Sequence, residues 1–172
     1  MTHLLTPSRD LSDHTPGQHG HDALFLTLKR LPRRTQLVFL YSRLDDLPYP
    51  AIAQRLDISL AVVEKDMHRV LQTCTATHTP PQIQAIDWYI RLQSPSTTAS
   101  ERIDFRRWLD SDGLHLAAFH DTELHWRRLL APAHLLGIGL WYRKARPTLG
   151  VRGWLTAGLA MALTLEFISQ TL

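Results

Sequence analysis

Cysteine is almost absent from this chain: Cys74 is the only one in 172 residues. One thiol permits neither an internal disulfide framework nor a cysteine-built metal cluster, which suits a reducing compartment. Runs of strict apolar–polar alternation are missing as well, so nothing reads as a half-buried strand. The N-terminus lacks a basic start followed by an apolar run, which excludes a secretory signal there. There is no glycine-rich phosphate loop, no HExxH, no cysteine nucleophile beside its base, and no carboxylate pair set apart from helix surface charge. The expected function is therefore not enzymatic, and no cofactor is implied. Histidine is plentiful, yet His14, His19 and His21 lack ligand spacing, while His115, His120 and His125 are five apart and rotate away from one another on a helix. No metal site is expected. The formal charge is only +3, from 19 Lys and Arg against 16 Asp and Glu, a basic balance compatible with nucleic acid or an anionic membrane surface.

What is present is helical. The apolar fraction is 44%, enough for a core, and its period from Ala23 onward is that of helices, so the fold class is all-α. Residues 1–22 mix Ser, Thr, Pro, Gly and His without period and read as a disordered tail. Residues 23–74 form a first helical domain, with Pro32 opening one helix and Pro50 another. Residues 75–81, TATHTPP, read as a linker. Residues 82–131 form a second group of three helices, the second opened by Thr98 and Glu101 at capping-box spacing. Its expected core is Trp88, Leu92, Phe105, Trp108 and Trp126, aromatic area being the way so small a domain gains stability. A basic segment follows at 132–153, and an apolar one at 154–172.

Within the first domain, YPAIAQRLDISLAVVEKDMHRVL (49–71) has helix-turn-helix arithmetic. Ile52, Ala53 and Leu56 face inward from the first helix, Ile58 plugs the corner, and Val63 begins the inner side of the second helix, whose start Ser59 is placed to cap. In such a motif the second helix lies in the major groove. Its positive outer face would be Lys65, His68 and Arg69 with Gln72 one turn on, and Arg55 on the preceding helix; these are the candidate DNA contacts. Leu60, Ala61 and Val62 in the first turn offer methyl contacts rather than hydrogen bonds, and Asp66 would repel phosphate.

Leu31–Pro32, Val38–Phe39–Leu40, Leu47, Tyr49, Ile52–Ala53, Leu56, Ile58–Ser59 and Val63–Glu64–Lys65 together resemble region 4 of extracytoplasmic-function sigma factors, over some 45 residues. The resemblance implies binding to an upstream promoter element and to core RNA polymerase. Asp57 stands where the family usually has glycine at the corner. The residues before Leu31 are too few for the other domain of such a sigma factor, so initiation of transcription unaided is not expected.

The second domain has its own resemblance. Trp88, Arg91–Leu92–Gln93–Ser94, Glu101–Arg102, Phe105, Trp108–Leu109, Asp112, His115, Ala118 and Trp126 are similar to the N-terminal cytoplasmic anti-sigma domain of FecR-like transmembrane regulators. That likeness implies a sigma factor as partner, in iron–siderophore signalling. Those regulators cross the inner membrane at about the point where residues 154–172 stand here. As a helix that segment would reach about 28 Å, against a hydrocarbon core of roughly 30 Å. Glu166 within it would cost on the order of 2.5–3.5 kcal/mol if central. Arg143, Lys144, Arg146 and Arg152 precede it, which by the positive-inside bias keeps the helical domains cytoplasmic. The alternative is a soluble protein whose apolar C-terminal helix docks on itself.

The leading expectation is thus a regulator of the sigma/anti-sigma type acting on a sigma factor or on RNA polymerase. The alternative is a helix-turn-helix DNA-binding regulator whose second domain dimerises.

Overall fold

In the computed structural model, residues 16–76 and 78–144 are described. The apolar segment 154–172, expected to cross a membrane, lies outside the described residues. So does most of the tail.

The helices begin where the sequence removes or satisfies free N–H groups. Helix α1 (Pro16–Arg30) is followed by α2 (Arg33–Leu44), with Pro32 at its N-cap. Helix α3 (Tyr49–Leu56) carries a proline in its first turn, and so does α5 (Pro80–Gln93), where a missing N–H costs nothing. Between them lies α4 (Leu60–Cys74). Helix α6 (Ala99–Ser111) opens with the complete Thr98–Glu101 capping box, and α7 (Gly113–Arg128) with the Asp112 carboxylate accepting from the Leu114 N–H. Helix α8 (Leu130–Leu136) and a 3-10 turn (Ile138–Leu140) close the described chain. The fold is all-α, without a strand among the described residues. Among these residues no helix is long and apolar enough to cross a membrane.

Several local expectations change. Helix α1 starts at Pro16, so residues 16–22, assigned to a disordered tail, are helical. Ser59 stands at the N-cap of α4, but its hydroxyl makes no cap bond. The residue is exposed, so water can serve the free N–H groups in its place. Pro80 and Pro81 belong to α5 rather than to a linker.

The larger correction concerns how the two helical groups sit. They do not hang apart on a tether. Helix α5 returns along α4, and α8 lies against α1 and α2, so residues from both groups enter one cluster. Phe39 of α2 meets Trp126 of α7 edge-on, with centroids 5.9 Å apart, and Tyr89 of α5 lies 6.1 Å from the same indole. Trp126 is therefore a junction residue rather than the centre of a separate core. Trp88, Phe105 and Trp108 do gather, at 5.5–6.5 Å, but remain half-exposed, and α6 has no buried residue. The buried apolar positions of α5 and α7 are the smaller or aliphatic Ala85, Ile86, Ile90 and Ala118, beside the buried polar pair Gln82 and Thr122. Residues 132–144, expected only as a basic segment before a membrane, contribute Ala133, Leu136 and Tyr142 to the core. The Tyr41 hydroxyl donates to the Tyr142 carbonyl at 2.6 Å, and the Tyr142 hydroxyl donates to Asp45 at 3.0 Å.

Asp66 ties α4 to α2. It is 1% exposed and accepts from Arg34 Nε at 2.7 Å and from the buried Thr35 hydroxyl at 2.9 Å. Replacing it (Asp66→Ala) should lower unfolding free energy by about 2 kcal/mol, because Arg34 can turn to water but the Thr35 hydroxyl cannot. Cys74 reports the change. Its thiol is buried and pushed up to about 12 by desolvation, so alkylation at neutral pH should be slow in the native protein and faster in the variant.

Candidate nucleic-acid interface

The corner between α3 and α4 turns at Asp57, whose φ of 52° is left-handed. Aspartate tolerates that conformation better than most side chains, and its N–H donates to the Ala53 and Gln54 carbonyls. Ile52, Ala53, Leu56 and Val63 are buried and Ile58 packs against them, as the helix-turn-helix pattern requires. With Val63, Met67 and Val70 turned inward, the period of α4 leaves Ala61, Lys65, Arg69 and Thr73 as its exposed stripe.

The five candidate DNA contacts separate. Lys65 and Arg69 lie one turn apart on the open stripe, and Arg55 is exposed on α3 with its guanidinium 4.8 Å from the Tyr41 ring centroid. Gln72 is half-buried. His68 turns toward the second domain, its Nε2 2.8 Å from the Asp87 carboxylate of α5. Asp66, expected to face and repel phosphate, is instead inside, spent on Arg34 and Thr35.

Helix α5 follows one shoulder of α4. Ala61, Glu64, Lys65 and His68 line a groove whose other wall is Asp87, Ile90 and Arg91. The open stripe can offer two cations, Lys65 and Arg69, to a phosphate backbone and the Ala61 methyl group to a thymine. A duplex laid along the first two turns of α4 would meet α5 as well. Asp87 was missed in the sequence because a lone carboxylate between Ile86 and Trp88 reads as ordinary surface charge.

Residues 21–74 match the family model for Sigma-70, region 4, a match that runs from within α1 to the end of α4. The chain carries a sigma-70 region 4 domain. Domains of this kind bind core RNA polymerase and promoter DNA, which supports a sigma-factor-related transcription regulator. Residues 84–124 match a second family, Domain of unknown function (DUF4880). No curated protein and no solved structure matches the chain significantly. The region 4 domain is thus joined to a DUF4880 domain whose first helix lies on its recognition helix. The segment from Leu129 to Tyr142, outside both matches, completes the region 4 core.

The DUF4880 domain is held by Arg91 and Glu101. Arg91 Nε donates to Glu101 Oε1 at 2.8 Å, and the Thr98 N–H donates to Oε2 at 2.7 Å. These bonds, the backbone one first, hold the Glu101 carboxyl below its ordinary range. A depressed folded pKa stabilises above the unfolded value and is lost as pH falls through the folded one. Unfolding measured from pH 7 down to pH 3 should therefore show a loss of stability that Glu101→Gln makes shallower. Among the described residues, no three His, Cys, Asp or Glu side chains come together as a metal site.

Proposed function

We propose that the chain is a non-catalytic transcription regulator of the sigma/anti-sigma type, in which the DUF4880 domain restrains the region 4 domain of the same chain. The observation that carries this reading is the course of α5 along α4, with Asp87 on His68. The target is an extracytoplasmic-function sigma factor or core RNA polymerase. The likeness of residues 82–131 to FecR-like anti-sigma domains supports iron–siderophore signalling as the setting. The basic residues before the apolar segment 154–172 support cytoplasmic domains tethered to the inner membrane. Affinity purification of the tagged chain from detergent-solubilised cells should recover a sigma factor or polymerase subunits; recovery of neither counts decisively against the reading.

The exposed Lys65 and Arg69 favour a second reading, direct DNA binding by α4. Each phosphate contact contributes about one unit to the salt slope of log affinity. The double variant Lys65→Ala plus Arg69→Ala should therefore bind duplex DNA more weakly and with a slope smaller by about two. Unchanged affinity in that variant would remove α4 as the DNA-contacting element.

A further inference from the structure

The corner after α8 holds strain and apolar surface that the interior of the protein does not use. Gly139 (φ 78°) and Leu140 (φ 52°) are left-handed in succession. Glycine adopts that conformation freely, whereas a leucine Cβ crowds the neighbouring carbonyl, and strain of this kind persists where the surroundings enforce it. It does not serve to bury the leucine: Leu140 is 49% exposed, Ile138 70% and Leu135 42%. Ile138 is the most exposed large aliphatic or aromatic side chain among the described residues.

The rim of this corner is basic. Lys29, Arg33, Leu135 and Trp141 line one groove, and the Arg33 guanidinium sits 3.1 Å from the Trp141 ring centroid. The Trp141 Nε1 donates to the Leu136 carbonyl at 2.7 Å, which fixes the indole at the edge. Arg143 and Lys144 follow, both exposed. The nearby carboxylate Asp45 already accepts from Arg143 and the Tyr142 hydroxyl. From Lys144 the sequence continues through Arg146 and Arg152 into the uncharged run 154–165.

An apolar tip with an indole at its edge and cations around it is matched by the boundary between headgroups and acyl chains of an anionic bilayer. Apolar side chains enter that boundary while lysine and arginine stay at lipid phosphates. A second copy of this chain fits less well, since a two-fold pairing would set basic rim against basic rim. We propose that the corner formed by Leu135, Ile138, Leu140 and Trp141, with Lys29 and Arg33, is a docking face for an anionic lipid bilayer. It presses the region 4 domain against the membrane surface. This inference rests on the membrane tether of the proposed function and adds a defined face and lipid charge to it.

The full chain labelled with an environment-sensitive fluorophore tests it. One label goes on the Ile138→Cys variant and a control on Gln54→Cys, which is exposed on α3; the buried Cys74 stays unlabelled in the native protein. With vesicles of phosphatidylcholine and phosphatidylglycerol, the label at position 138 should shift to the blue and become shielded from iodide, while the control stays aqueous. Lys29→Glu should reduce that shift, and phosphatidylcholine alone should give a smaller one. Co-flotation with vesicles while the label at 138 remains aqueous overturns the docking face but leaves the tether standing. No flotation overturns both. A blue shift without vesicles, accompanied by a dimer mass, shows a second copy as the occupant and overturns the lipid assignment.

Discussion

Phe39 and Trp126 meet edge-on at 5.9 Å, and Arg43 adds its guanidinium 5.0 Å from the same indole. Phe39 and Arg43 belong to the region 4 domain; Trp126 stands on α7, two residues past the end of the DUF4880 match, and also meets Tyr89 inside that match. Even partial burial of so large a ring removes apolar area from water, and here the partners supplying it come from both matched regions. Leu129, Ala133, Leu136 and Tyr142 then continue the same core. Apolar residues of both domains thus share one interior, and the contact of α4 with α5 is part of it.

Charge sorts the surfaces of α4. The inward carboxylate, Asp66, is consumed by Arg34 and Thr35, so it neither repels a polyanion nor contributes to the outer potential. On one shoulder His68 is engaged by Asp87 of α5. What is left outward is Lys65 and Arg69, with Arg55 on the preceding helix. The result is an α4 with an electropositive outer strip, Lys65 and Arg69, and one shoulder covered by α5.

Much of this organisation was legible in the chain itself. The all-α class followed from apolar period, the helix-turn-helix from Ile52, Ala53, Ile58 and Val63, and the start of α6 from Thr98 and Glu101. These are local signals, carried by residues a turn or two apart. What was not legible is set by separation in sequence. The inward turn of Asp66 depends on Thr35 across the bundle, and nothing in VEKDMH distinguishes it from a surface aspartate. Trp126 resembled the other two tryptophans by composition; its place at the junction depends on Phe39. Residues 132–144 looked like a basic spacer because Arg143 and Lys144 dominate their charge, while their buried contribution comes from Ala133, Leu136 and Tyr142.

The bond from the Tyr41 hydroxyl to the Tyr142 carbonyl joins positions 101 apart in sequence. Its acceptor is main chain, so it grips the backbone itself two residues before Lys144, and the ion pair of Arg143 with Asp45 lies beside it. A pull on the polypeptide beyond Lys144 would therefore not be spread through α5, α6 and α7. It would be loaded first onto a phenol anchored in α2, in the middle of the region 4 core. Seen mechanically, the end of the described chain is a lever on the region 4 domain.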